Sequence, residues 1–252
     1  MLYFNHYGIH RLDNHNRNLC LVSPWMHNGN IREFLMPAAR SRLNRIPLIS
    51  DVASGIKYLH ENGVVHGDLK SLNVLITKFE RACLADFGLS SVMESSGLAG
   101  LSSRQADGGT PGFEAPELFD SESTRTTASD AFAFGMVCFE MFTGEFPLGG
   151  RKKAAVKIHA GERPKRPSSE NQEYVQRGLT DGIWGLMERC WSPSPENRPT
   201  AAQILQELPP TETHLPYDSW EWTRTQRPGF ETSAGQVDAT IANALSHLRP
   251  LL

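Results

Sequence analysis

The sequence predicts an α+β fold that is mainly helical, with short strands near its start. The apolar run AFAFGMVCFEMF, Ala131 to Phe142, contains Glu140 and is too short to span a bilayer, so it marks a helix buried on all sides. Leu48, Ile49, Val52, Ala53, Ile56 and Leu59 fall on one face of a second helix. Strand-like runs are short, at residues 2–9, 19–26, 73–76 (NVLI) and 82–85 (ACLA).

The first two runs are β-branched or aromatic-rich and are separated by RLDNHNRN, a polar connection of turn formers. The helix that follows is predicted from Pro47 to Asn62, with Asn62-Gly63 as its stop. NVLI and ACLA predict a hairpin around TKFER that holds its flanking loops together. Ser90 to Gly112 turns to Ser, Gly and isolated charges, the composition of a mobile surface segment. Ser129 or Asp130 is expected to cap the buried helix, which ends at Thr143-Gly144. GIWGLMERCW and PTAAQILQEL predict two more helices, the second closed by Pro209-Pro210. Val237, Ile241, Leu245, Leu248 and Leu252 then recur at helical spacing and predict a tail helix.

A chain of 252 residues with 39% hydrophobic residues is long enough to bury a substantial core. Its formal net charge of -3 gives no electrostatic reason to expect nucleic acid or an anionic membrane as the main partner. The basic clusters RKKAAVK and RPKRP, with no interleaved aromatics, read as a solvated helix face and its following loop. Cys20, Cys83, Cys138 and Cys190 lie far apart in apolar contexts, without a metal-binding spacing, and read as reduced core residues. The first residues carry no basic stretch followed by an apolar run. An intracellular, cytoplasmic location is expected.

The chemistry concentrates in VVHGDLKSLNVLI, residues 64–76, and in the ADFG that follows the second hairpin strand. Phosphoryl transfer needs a carboxylate to orient the attacking hydroxyl, a cation near the transferred group, and oxygen ligands for metal ions. Asp68, Lys70, Asn73 and Asp86 supply these three kinds of group on the two loops that one hairpin joins.

In this order the motifs resemble the protein kinase superfamily: HGDLKSLN for the catalytic loop, DFG for the metal-binding loop, and APE at Ala115-Pro116-Glu117. SDAFAFGMVCFEMFTGEFPL resembles the central helix of the C-lobe, CWSPSPENRPT the last shared block, and LCLVSPWMHNGNIREFL the strand, hinge and first C-lobe helix. The catalytic loop is most similar to that of the tyrosine-kinase-like group, whose members mostly phosphorylate serine and threonine. The resemblance covers roughly residues 2–208. It implies a protein-kinase-like fold with two remnant N-lobe strands and the hinge in residues 1–26, a helical C-lobe in 27–208, and a tail in 209–252.

The resemblance makes Asp68 the hydroxyl-orienting base and Lys70 the cation on the transferred phosphate. Thr110 is then the threonine that bridges Asp68 and Lys70. Asn73 and Asp86 become magnesium ligands. Ser23 becomes the gatekeeper, Pro24 and Met26 the backbone partners of adenine, and Leu75 the floor of its pocket. ATP and Mg2+ are the implied cofactors, and a protein substrate or binding partner is implied. Glu117 and Arg198 resemble a buried ion pair, and Asp130 is expected to accept from the backbone at His66 and Gly67.

Two departures stand out. Gly67 replaces the arginine that pairs with an activation-segment phosphate in most kinases, which alters regulation and leaves the catalytic residues in place. The sequence contains no G-x-G, and its one lysine before Asp68 is Lys57, on the helix leading into the catalytic loop. Two readings stay open: a serine/threonine kinase domain truncated and inactive as it stands, or a pseudokinase or C-lobe interaction module. A small-molecule kinase is disfavoured by GTPGFEAPE.

Overall fold

The computed structural model describes residues 25–86, 110–120, 123–168 and 171–211, with the backbone alone at 8–11, 19–22, 91–92 and 151–152. The expected tail helix, most of the segment from Ser90 to Gly112, and the side chain of Cys20 lie outside the described residues. Met1–Pro209 clusters as one compact unit.

The first strands, β1 (Gly8–Arg11) and β2 (Leu19–Val22), pair antiparallel with Gly8 opposite Val22 and Arg11 opposite Leu19. The described part of the first strand thus extends two residues past the predicted run, into the polar connection. Trp25 and Met26, predicted as strand, lie outside any strand, and Met26 begins a turn closed by a hydrogen bond from the Gly29 N–H to the Met26 carbonyl at 3.0 Å. Helix α1 (Ile31–Leu35) follows, with the Asn30 side chain accepting from the Glu33 N–H.

Helix α2 (Ile46–Glu61) buries the predicted face, and past its C-cap Asn62 the chain turns at Gly63, whose φ of 72° a residue without Cβ adopts readily. Pro47 is tolerated because the first-turn N–H groups have no helical partner, and the Ile46 N–H is satisfied by Asn44 Oδ1 at 3.0 Å. Strand β3 (Val64–Val65) leads into the catalytic-loop sequence. The hairpin β4 (Val74–Ile76) and β5 (Ala82–Leu84) forms as predicted, with Leu75 opposite Cys83. It is tied to α2 by Asp51, which accepts from Arg81 Nε at 2.7 Å and from the Ala82 N–H at 3.0 Å.

One part of the predicted mobile segment is ordered. Strand β6 (Ser91–Val92) pairs antiparallel with β3, Val64 opposite Val92, so this stretch is held by the backbone that precedes the catalytic loop. Its polar composition hid a pairing that depends on main-chain groups alone.

Helix α3 (Thr127–Thr143) is buried almost throughout, as its all-apolar run predicts. Its cap differs from the expectation. Thr126 is the N-cap, and Ser129, at the third helical position, completes a reciprocal capping box; Asp130 lies inside the helix with its carboxylate turned to other use. Helices α4 (Arg151–His159), α5 (Gln172–Gln176), α6 (Asp181–Cys190) and α7 (Ala201–Glu207) complete the described residues. The core joins α2, α3 and α6 around Ile56, Phe134, Met136, Leu186 and Trp191.

In the basic cluster at 163–167 Lys165 and Arg166 are exposed as predicted, while Arg163 is less solvated. Arg163 donates to the carbonyls of Trp191 at 2.8 Å and Ile158 at 3.3 Å and lies over the Phe132 ring, and burial lowers its pKa. Burial raises the thiols of Cys83 to about 11 and Cys190 to about 12, and that of Cys138 well above its usual value, which makes them inert core groups. Among the described residues no helix is long and apolar enough to cross a membrane.

Candidate active site

The loop between β3 and β4 is shaped from below by Asp130. From the first turn of α3 its carboxylate accepts from the backbone N–H of His66 at 2.8 Å and of Gly67 at 2.9 Å, as expected. His60 Nε2 lies 2.8 Å from the same carboxylate, a partner that the sequence did not suggest. Asp130 is 1% exposed, and these three partners satisfy a charge that would otherwise be stranded in the core.

His66 is fully buried and ties two strands of the site. Its Nδ1 accepts from the Asp68 N–H at 3.3 Å, which leaves Nε2 protonated and 3.2 Å from the Ala85 carbonyl. Burial depresses its pKa, so the imidazole is held neutral, against the opposing pull of Asp130. Gly67 then turns the chain with φ of 78°, and its carbonyl accepts from Arg125 Nε at 2.9 Å. Arg125 was not singled out in the sequence, because nothing local signals a contact across 58 positions.

Asp68 is the point on which the predicted residues converge. Its Oδ2 accepts from Lys70 Nζ at 2.5 Å and from Asn73 Nδ2 at 3.2 Å, and its Oδ1 accepts from Thr110 Oγ1 at 3.2 Å. Asn73 Nδ2 also reaches the Asp68 carbonyl at 2.9 Å. Thr110 makes half of the expected bridge: it bonds Asp68, while Lys70 reaches that carboxylate directly and no bond joins Thr110 to Lys70 among the described residues.

Asn73 and Asp86 are brought side by side by the hairpin, through the Ala85 N–H donating to the Asn73 carbonyl at 2.8 Å. Asp86 itself has φ of 61°, an uncommon conformation for a residue with a side chain. Because the Asn73 amide nitrogen is spent on Asp68, its Oδ1 remains as an acceptor. An amide oxygen just before β4 and a carboxylate just after β5 are hard donors that fit Mg2+. Among the described residues no cluster of three or more His, Cys, Asp or Glu offers a competing metal centre.

The adenine-side residues are only partly described. Ser23 and Pro24 lie outside the described residues. Met26 and Leu75 are both half-buried, and their segments are strapped together: the Ile76 N–H donates to the Gly29 carbonyl at 2.9 Å, and Asn28 Nδ2 to the Thr77 carbonyl at 2.7 Å. Lys57 sits on α2, paired with Glu61 at 2.5 Å on the same helix.

A shallow recess beside Asp68 is lined by Thr110, Phe113, Glu114 and Leu118. Burial raises the pKa of Glu114, with Arg125 opposing and Asp68 adding to the shift. The segment behind it is anchored by Glu117, whose two oxygens each lie 2.7 Å from a terminal nitrogen of the buried Arg198.

The family model for protein tyrosine and serine/threonine kinases matches residues 4–208. The chain belongs to the protein kinase family. Among curated kinases it is 32% identical over 196 residues to the serine/threonine-protein kinase STY17 of Arabidopsis thaliana, covering 76% of this chain and 32% of that protein. The serine/threonine-protein kinase CTR1 of the same plant is 33% identical over 199 residues, with 77% and 23% covered. The serine/threonine/tyrosine-protein kinase HT1 is 31% identical over 194 residues, with 75% and 46% covered. This kinase chain therefore spans less than half the length of each of these three relatives. These relatives are similar to kinases of the tyrosine-kinase-like group, and protein kinases as a family use ATP and Mg2+ and act on protein substrates.

Proposed function

We propose that this domain belongs to a serine/threonine protein kinase and that Asp68, Lys70, Asn73, Asp86 and Thr110 are the catalytic-loop half of its phosphoryl-transfer site. The observation that supports this most is the Asp68 carboxylate, held by Lys70, Asn73 and Thr110 from three points of the chain. Three donors fix the plane of the carboxylate before substrate arrives, so orientation costs little at the moment of reaction.

In this reading Asp68 accepts the proton of the substrate hydroxyl as its oxygen bonds to the γ-phosphorus of ATP, while the bond from that phosphorus to the bridging oxygen breaks and ADP leaves. Lys70 leaves Asp68 to meet the charge on the transferred phosphoryl group. Thr110 keeps Oδ1 oriented while Lys70 is away. Asn73 Oδ1 and Asp86 would hold Mg2+, which when bound would neutralise charge on the phosphate oxygens. The backbone of Met26 would meet adenine and Leu75 would form the floor of its pocket. The serine/threonine preference rests on Lys70 and Thr110 and on the relatives' names.

The test is transfer of labelled phosphate from Mg-ATP to a generic serine/threonine substrate by the natural full-length protein. Asp68→Asn is expected to lower kcat by about 100-fold or more, the scale of general-base loss. Activity unchanged in that variant sinks the reading. A second reading is a pseudokinase or interaction module. It predicts neither transfer nor Mg-ATP stabilisation in thermal unfolding, with binding to a protein partner unaffected by Asp68→Asn.

A further inference from the structure

Asp68 follows the most permissive residue of its loop. Gly67 has φ of 78° and no side chain, so the peptide units on either side of it turn more easily than they would beside any other residue type. The second of those units joins the Gly67 carbonyl and the Asp68 N–H in one plane. A turn of that plane either re-aims the Asp68 side chain or takes the Asp68 N–H from its partner.

Hydrogen bonds from both sides oppose such a turn. The unit before Gly67 is held by its N–H, which donates to Asp130 Oδ1 at 2.9 Å. The unit after it is held at both ends: the Asp68 N–H donates to His66 Nδ1 at 3.3 Å, and the Gly67 carbonyl accepts from Arg125 Nε at 2.9 Å. The histidine bond is longer and joins two neutral groups, whereas the arginine bond is charge-assisted and therefore the stronger hold. Arg125 is well placed to act as an anchor. It comes just before Thr126, the N-cap whose reciprocal bonds with Ser129 fix the entry to α3, and Asp130 lies on the first turn of that helix. Both clamps on Gly67 thus come from one capped stretch of chain, 125–130.

We propose that Arg125 is a positioning residue for the phosphoryl-transfer site: by holding the Gly67 carbonyl through Nε, it fixes the peptide plane that aims the Asp68 carboxylate. Its effect reaches the substrate through Asp68. The chemistry of Asp68 rests on the kinase reading, while its aiming rests on the bonds around Gly67 alone. The glycine loosens the backbone before the acid, and an arginine 58 positions away restores its order.

The test uses two substitutions that differ at one atom. Glutamine places an amide N–H donor at the same number of bonds from Cα as the arginine Nε, without the charge, and methionine places a methyl group there. In the natural full-length protein, with Mg-ATP and a generic serine/threonine peptide, Arg125→Met is expected to lower kcat about tenfold or more with KM values within about twofold of the parent. Arg125→Gln is expected to stay within about threefold of the parent kcat. In the 252-residue chain, hydrogen exchange at the Asp68 amide is expected to speed at least about fivefold in Arg125→Met and to be unchanged in Arg125→Gln. Arg125 also opposes the shift of Glu114, and a role confined to that charge predicts that Arg125→Gln fails as Arg125→Met does. A parent that transfers no phosphate overturns the kinase reading and leaves exchange to decide the aiming of Asp68. Exchange unchanged in Arg125→Met, kcat unchanged in an active protein, a loss carried by KM, or Arg125→Gln matching Arg125→Met overturns the proposal.

Discussion

Removing Glu117 isolates one energetic term cleanly. The Arg198 side chain is 0% exposed, and its two terminal nitrogens each meet a Glu117 oxygen at 2.7 Å. After Glu117→Ala the guanidinium keeps its bonds to the carbonyls of Ser192 at 2.9 Å, Ala128 at 3.0 Å and Pro193 at 3.3 Å, but no carboxylate remains to it. Breaking a buried pair from one side costs about 3–5 kcal/mol. Glu117 is 22% exposed, so water can enter from its side, and the lower end, about 3 kcal/mol, is the expected loss. For a unit of this size that corresponds to a fall in Tm of about 6–12 °C. Urea unfolding of Glu117→Ala, Arg198→Met and the double variant measures it. Because Arg198→Met removes the charge itself, the double variant is expected to recover at least about 1 kcal/mol relative to the sum of the singles. A Glu117→Ala loss below about 1 kcal/mol, or strict additivity, would falsify the account of a stranded charge.

Three further outcomes follow from the same site. His66 is neutral in the folded protein while an unfolded histidine titrates near 6.5, so the unfolded state alone takes up a proton below that pH. Stability is therefore expected to fall as pH drops through about 6.5, by up to about 1.4 kcal/mol per unit, and His66→Asn should flatten that part of the urea-midpoint profile. Gly67 has φ of 78°, so Gly67→Ala should cost about 1–2 kcal/mol in the same assay; an unchanged midpoint refutes a strained turn there. Glu114, with its pKa raised chiefly by burial, is harder to ionise folded than unfolded, and the stability this group contributes at low pH is lost as pH rises. Glu114→Gln should raise Tm at pH 7.5 and leave it nearly unchanged at pH 4.

Most of the site was legible because it is local. Asp68, Lys70 and Asn73 lie within six residues, and the hairpin that returns Asp86 to them was visible as two apolar runs around a turn. Helix α3 was equally plain, since its apolar run leaves no exposed face to mistake. The cap of α3 was misplaced because Thr126, Ser129 and Asp130 are all cap formers, and only the direction of each side chain separates them. The pairing of β6 escaped because backbone hydrogen bonds carry no compositional signature.

The sequence by itself determined the family, the catalytic loop and the helical core, because each depends on residue type at short, regular spacing. Tertiary structure decided which distant groups complete them. It brings Thr110 to Asp68 across 42 positions, sets Asp130 beneath His66 across 64, and turns Arg125 onto Gly67 across 58. It also leaves Nε and Nη1 of the buried Arg45 without a hydrogen-bond partner. These contacts follow from how the packed helices aim individual side chains, and long-range direction of that kind is not written in the pattern along the chain.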